Sequence, residues 1–130
     1  MTTYNNLPVY RASYDLLLDL FRFTKDFSRE YKYTLGESIK KETVEMISNI
    51  YRANSSFTNR KEKIQSAREN VEVIRLFLRL LKDLKQVGLE KFVALNEKLE
   101  SVSKQLYCWQ NSRPESHFVK ADASAPMQVQ

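Results

Sequence analysis

Seven basic side chains share one face or one end of a predicted helix in the third quarter of the chain. We call them the basic strip: Arg60, Lys61, Lys63, Arg68, Arg75, Arg79 and Lys82. At about 100° per residue, the last four fall within roughly 60° of one another around the helix axis. Cations in that arrangement can contact successive phosphates along a nucleic-acid backbone.

The positive charge of the chain is concentrated on this helix. Residues 59–87 contain eight basic and four acidic side chains, eight minus four giving a net charge of +4, and the net charge of the whole chain is +5. An oligomer would carry one strip per subunit, and the electrostatic fields of the strips would add. An ordinary solvated face is the alternative interpretation, because Glu72 lies within a helical turn of Arg68 and Arg75.

Other chemistry finds little support in the residue pattern. The only histidine, His117, has no ligand partner at metal-binding spacing, and Cys108 lies near a helix carboxyl end, where a packing role is expected. The carboxylate pairs Glu42–Glu45 and Glu69–Glu72 lack the Glu-x-x-His motif of metal-binding bundles. There is also no glycine-rich phosphate loop. The sequence therefore predicts no enzyme, no metal and no cofactor.

Long helices must position these side chains. Only two glycines and three prolines interrupt 130 residues, and apolar residues recur at helical spacing. The pattern predicts four helices, over about 9–28, 34–57, 59–87 and 90–111. Capping boxes are expected at Thr34 and Asn59, and Gly88 is expected to end the third helix in the left-handed conformation. These elements predict an all-α, antiparallel up-and-down four-helix bundle.

The bundle accounts for most of the chain but not for its ends. We predict a polar leader over 1–8, the bundle over 9–112 and a disordered tail over 113–130, whose composition lacks periodicity. The amino terminus does not have the pattern of a signal peptide, and no apolar stretch approaches the length of a membrane helix. A single cysteine excludes an internal disulfide. Together these features predict a cytoplasmic protein with no membrane partner.

Two predicted helices carry more apolar surface than one bundle can bury. On the third helix two apolar sectors together span roughly 220°, about twice the usual stripe. The first helix likewise carries two apolar rows. The excess predicts a ring-like homo-oligomer, although scattered exposed side chains are the alternative. The expected interface residues are Leu16, Leu20, Phe23, Val73, Leu76, Phe77, Leu80 and Leu84.

Two stretches carry a family resemblance: "YTLGESIKKETVEMISNIYRAN" and "VEVIRLFLRLLKDLKQVGLEKFVALNEKLESVSKQLYCWQNS". Their aromatic-Thr-Leu-Gly start, Ile-Arg-x-x-x-Arg-Leu-Leu segment and closing Trp109 resemble the accessory variability determinants of bacterial diversity-generating retroelements. They also resemble the wider four-helix-bundle family encoded in ribosomal-RNA intervening sequences. The Arg75/Arg79 pair and the final "CWQNS" favour the retroelement group. The resemblance covers roughly residues 8–112.

The resemblance implies a specific function. Members of the retroelement group look like basic, barrel-shaped homopentamers that bind a reverse transcriptase and its template RNA and support error-prone complementary-DNA synthesis. For this chain it implies a non-catalytic adaptor that binds RNA, with DNA as the alternative nucleic acid, and no small-molecule substrate. The competing hypothesis is a self-associating structural bundle of the intervening-sequence type without specific RNA binding.

Overall fold

The computed structural model describes residues 7–112, and this part of the chain is helical throughout, with no strand. Four long helices are joined by short connections, one of which contains a single helical turn, α2. The elements are α1 (Pro8–Thr24), α2 (Arg29–Lys32), α3 (Leu35–Ser55), α4 (Arg60–Asp83) and α5 (Leu89–Gln110). The predicted all-α bundle is thus confirmed, with the first and third helices shorter than expected.

Each long helix packs against its neighbours in the chain, and α1 closes the bundle against α5. Residue numbers rise along one helix while those of the contacting residues on its neighbour fall. On α4 and α5, Arg75 pairs with Glu100 while Lys82 lies over Phe92. The same reversal relates α1 to α3, where Lys40 lies over the Phe21 ring. Adjacent helices are therefore antiparallel, as short connections require.

The core is one continuous apolar cluster that receives a face from every long helix. On α4, one of the two apolar sectors is fully buried: Ile64, Ala67, Val71, Ile74, Leu78 and Leu81. On α5, Leu95, Leu99, Val102 and Leu106 are buried at helical spacing.

The interface assignment on α1 needs a correction. Leu16 and Leu20 are buried within the subunit, so they belong to its core and are not accessible for contact with a second subunit. Phe23 packs partly against the same cluster. The other apolar row of α1 is the exposed one, with Tyr14 and Phe21 on the surface. Both rows are apolar, and only the packing of the neighbouring helices decides which one turns inward.

Helix ends also differ from the predictions. Neither Thr34 nor Asn59 forms a side-chain cap, and the Thr34 hydroxyl instead donates to the Glu30 carbonyl. The left-handed residue after α4 is Lys85, with φ of 61°, whereas Gly88 has φ of −71° and precedes α5. Because α4 ends at Asp83, the reversal of the chain comes several residues earlier than expected.

The connection between α1 and α3 is tightly built around Gly36. A Cβ atom at this position would lie 3.3 Å from the Tyr31 carbonyl oxygen and 3.5 Å from Phe27 Cδ2. Phe27 is buried, and the Ser28 amide donates to Gln86 Oε1 from the α4–α5 connection. A glycine therefore permits the close approach of α2 to α3 at this end of the bundle.

Some predictions fall on residues 1–6 and 113–130, which lie outside the described part of the chain. They are residues 1–6 of the predicted leader over 1–8, the disordered tail and the position of His117. Pro8, placed in the leader by the prediction, is the first residue of α1. Within residues 7–112, no helix combines the length and apolar character needed to cross a membrane.

Candidate nucleic-acid interface

Arg75, at the centre of the basic strip, is bound by two carboxylates. It pairs with Glu72 on its own helix at 3.3 Å and with Glu100 on α5. Its side chain is 34% exposed. The Glu72 contact follows from helical spacing, but the Glu100 contact depends on the packing of α5 against α4. To contact a phosphate, Arg75 would have to exchange a carboxylate for it.

Two other strip residues lie against aromatic rings of α5. The Arg68 guanidinium lies 5.2 Å from the centroid of Tyr107 and donates to Gln110 Oε1. Lys82 Nζ lies 5.1 Å from the centroid of Phe92. Cation–π contacts of this kind keep the charge while fixing the side chain. The α5-facing edge of α4 thus holds three cations, Arg68, Arg75 and Lys82, in defined positions.

Arg68, Arg75, Arg79 and Lys82 form the central strip, and Arg79 is the most accessible of the four. Its side chain is 78% exposed, and its Nε atom lies 3.8 Å from Asp83 Oδ2 one turn further along α4. An ion pair that long and that exposed contributes little to stability. Arg79 is therefore available to an anionic partner without breaking a strong contact.

Arg60 has a structural role. Its Nε donates to the Ala53 carbonyl at 2.9 Å and its Nη2 to the Asn54 carbonyl at 3.3 Å. These acceptors lie in the last turn of α3, where helix carbonyls lack partners within the helix. Burial lowers the pKa of Arg60 below its ordinary value. Arg60 therefore caps α3 from the first residue of α4, in addition to contributing charge.

Lys61 and Lys63 complete the strip at the start of α4. Lys61 is exposed and Lys63 is half-buried. Among residues 7–112, neither side chain forms an ion pair or a hydrogen bond, so both charges are uncompensated by direct contact. The strip is therefore heterogeneous: Arg75 at its centre is paired with carboxylates, whereas Lys61 and Lys63 near its start are not.

The charges of the bundle are unevenly distributed along its axis. We call the end at which α1 and α4 begin the proximal end, and it comprises residues 7–12, 49–68 and 105–112. It contains six basic side chains and a single acidic one, Glu62. The middle of the bundle, residues 13–19, 41–48, 69–75 and 98–104, contains four basic and seven acidic side chains. Arg75, at the centre of the strip, thus lies in an acidic environment.

An apolar patch lies beside the strip on the outer side of α4. Leu76 is 63% exposed and Leu80 is 38% exposed, while Phe77 packs partly against the core. Val73 and Leu84 are half-buried. Of the predicted interface residues, those on α4 therefore do present apolar surface from a single subunit.

Sequence reasoning misplaced some residues and missed others. Cys108 is exposed, contrary to the packing role expected of it, and Phe57, at the end of the predicted second helix, is exposed in the α3–α4 connection. Arg11 and Arg52 were not associated with the strip, yet the bundle places them at its proximal end. No local signal could have shown this, because it depends on which helix ends meet.

Within residues 7–112, no three His, Cys, Asp or Glu side chains come together in an arrangement that could hold a metal ion. The surface features suited to binding a partner are the strip, the apolar patch and the basic proximal end.

Comparison of the sequence with known protein families identifies the family of this chain. The sequence profile of the family described as bAvd-like matches residues 9–113, which covers the whole helical bundle. A search of curated proteins finds none that matches the chain. The match spans most of the 130 residues and agrees with the resemblance of the second, third and fourth predicted helices. The chain therefore belongs to the bAvd-like family.

Proposed function

We propose that this protein is a non-catalytic accessory protein that binds a reverse transcriptase and its template RNA during the mutagenic retrohoming of a diversity-generating retroelement. The observation that carries the proposal is family membership over residues 9–113. The surplus of cations on α4 and at the proximal end supports it, because phosphate neutralisation dominates non-specific RNA affinity.

The proposed nucleic-acid-binding residues are those of the basic strip. Arg79 contacts phosphate directly, whereas Arg75 exchanges Glu72 or Glu100 for phosphate when RNA binds. Arg68 and Lys82 contribute from fixed positions against Tyr107 and Phe92. None of these contacts reads a base, since each involves only the phosphate charge.

The proposed assembly is a closed homo-oligomer, with a pentamer as the expected state. The α4 patch around Leu76 and Leu80 supports it, because contiguous exposed leucines usually mark an interface. A ring would repeat the basic surface once per subunit, so the modest electrostatic field of each subunit would add to those of the others.

One observation favours the competing function of a protein-only bundle. Arg75 is already paired twice, which is what a solvated, self-compensating face would look like. The test is RNA binding by the double variant Arg75→Ala/Arg79→Ala, measured as a function of salt. The proposal expects weaker binding to unrelated RNAs and a salt slope flatter by roughly 1.4 units, about 0.7 per lost contact.

The same measurement separates the two functions. If the double variant keeps the RNA affinity and the salt slope of the parent, the central strip is a solvated surface that does not bind RNA. Absence of RNA binding by the parent, together with failure to co-purify with a co-expressed reverse transcriptase from the same element, would support the protein-only bundle. The variant Arg75→Lys/Arg79→Lys should bind RNA nearly as tightly as the parent if the contacts need only a point charge. It should bind more weakly than the parent if the arginine contacts are bidentate.

A further inference from the structure

The proximal end carries free cations from three different helices. Arg11 on α1, Arg52 on α3, and Lys61 and Lys63 on α4 form no side-chain ion pair or hydrogen bond within residues 7–112. The ends of α1, α3, α4 and α5 meet at this end of the bundle, where neighbouring packed helices lie about 8–10 Å apart. The one acidic residue at this end, Glu62, cannot compensate these charges.

Exposed aromatic rings lie among these cations. Phe57, in the α3–α4 connection, is 59% exposed, and Tyr107, on the last turns of α5, is 55% exposed. The Arg60 guanidinium lies 5.5 Å from the centroid of Phe57, and Arg68 lies 5.2 Å from that of Tyr107. Each ring is thus held by an arginine and keeps about half of its surface open to solvent.

The connection that carries Phe57 is held in place by the hydrogen bonds of its neighbours. Arg60 binds the last carbonyls of α3 on one side, and the Asn59 amide donates to Ser56 Oγ at 3.3 Å on the other. Ordering of this loop before binding reduces the entropy lost when a ligand binds. Free cations and exposed, preordered aromatic rings at the same end of a fold are the combination used by proteins that bind single-stranded nucleic acid.

We propose that the proximal end is the principal nucleic-acid contact, and that it binds an unpaired strand: Arg11, Arg52, Lys61 and Lys63 neutralise phosphates while Phe57 and Tyr107 stack on bases. This inference rests on the proposed function, because it specifies where and in what form the RNA is bound. It includes Lys61 and Lys63 from the start of the basic strip but adds Arg11, Arg52 and two aromatic rings. At the centre of the strip, Arg75 and Arg79 are paired with carboxylates, whereas the four proximal cations are not.

The electrostatic part is tested with the full chain and labelled 12-nucleotide RNA, DNA and abasic strands by fluorescence anisotropy at several salt concentrations. The end variant is Arg52→Ala/Lys61→Ala/Lys63→Ala. A control with the same change in net charge is Lys25→Ala/Arg29→Ala/Lys41→Ala, which removes three exposed cations outside the proximal end. Three lost phosphate contacts should flatten the salt slope by about two units, which is about a 100-fold loss of affinity at 0.1 M salt.

The stacking part is tested by the variant Phe57→Leu, with Phe21→Leu as the matched control on an exposed phenylalanine elsewhere. The parent should bind the base-bearing strands more tightly than the abasic strand, by a factor of about 5 to 100 for each stacked base. Phe57→Leu should lose much of this preference while keeping its affinity for the abasic strand. Phe21→Leu should behave as the parent.

The outcomes are distinct. If the parent binds RNA but the end variant and the charge-matched control lose affinity equally, or neither loses any, the proximal end is not the principal contact and the inference is wrong. An equal preference for bases in parent and Phe57→Leu overturns the stacking role. If the parent binds no strand at all, the proposed function fails together with the inference. A preference for RNA over DNA of equal sequence would identify the ribose as an additional contact, in support of RNA as the partner.

Discussion

Arg75 on α4 and Glu100 on α5 form an ion pair that joins the two helices at the middle of the bundle. Glu72 holds the same guanidinium from within α4. The pair lies where acidic side chains outnumber basic ones, so the central arginine of the strip is compensated by two nearby carboxylates. This relationship makes the availability of Arg75 to RNA depend on the charge of α5.

The first prediction concerns that dependence. Glu100→Gln should release Arg75 from its interhelical partner and raise RNA affinity by about fivefold at 0.1 M salt, the effect of roughly one additional phosphate contact. Stability should fall by less than about 1 kcal/mol, because the pair is partly exposed. The control is Glu97→Gln, which makes the same charge change on α5 without touching Arg75. Equal affinities for the two variants would show that only net charge matters.

Arg60 should be the strip residue on which stability depends most. Arg60→Ala removes two charge-assisted hydrogen bonds to the carbonyls of α3 and should cost about 1.5–3 kcal/mol. For a domain of this size, that loss lowers the melting temperature by roughly 6–20 °C. Thermal unfolding followed by circular dichroism measures it, and Lys61→Ala, at the next and exposed residue, should change little. Similar melting temperatures for both variants would contradict the capping role.

The buried amide of Asn70 offers a test of the α3–α4 packing. Its Nδ2 donates to Glu42 Oε2 at 2.7 Å, and its Oδ1 accepts from Asn49. Asn70→Asp would place a second carboxylate against Glu42 and raise the pKa of one of the two acids. The folded state would then bind protons more tightly than the unfolded state, so stability should fall as pH rises through that raised pKa.

Chemical denaturation of parent and Asn70→Asp at pH 4.5 and pH 7.5 measures this difference. The destabilisation of the variant should be larger at the higher pH. Asn59→Asp, at an exposed position next to the amino terminus of α4, is the control and should not show that trend, because a negative charge is favoured there. A pH-independent loss in Asn70→Asp would mean that the carboxylates do not interact.

The α4 patch should hold the oligomer together. Leu76→Glu/Leu80→Glu would bury unpaired charge in the proposed interface and should dissociate it. The subunit fold should survive, because both side chains are exposed and lie outside the core. Light scattering at micromolar concentration measures the mass, and circular dichroism checks the helices. Leu89→Glu/Val93→Glu, two exposed positions on α5, is the control. A monomeric parent would remove the basis for the proposed assembly.

The helices themselves could be predicted from the sequence. Scarce glycine and proline and a strong helical period determine where each long helix lies, because these signals are local. The inward sector of α4 was also predictable, since a regular row of branched apolar residues leaves few alternatives. Helix ends were not: Thr34 and Asn59 have capping spacing but make no cap, and Lys85 takes the left-handed conformation expected of Gly88.

The candidate site was predictable only in composition. The sequence by itself determined that α4 carries most of the net positive charge and that α1 and α4 have surplus apolar surface. Tertiary structure decided which apolar row of α1 is buried, which carboxylate on α5 compensates Arg75, and which cations meet at the proximal end. These outcomes depend on contacts between residues far apart in the chain. Helical periodicity determines the direction in which a side chain points from the axis of its helix. It does not identify the residue of another helix that the side chain contacts.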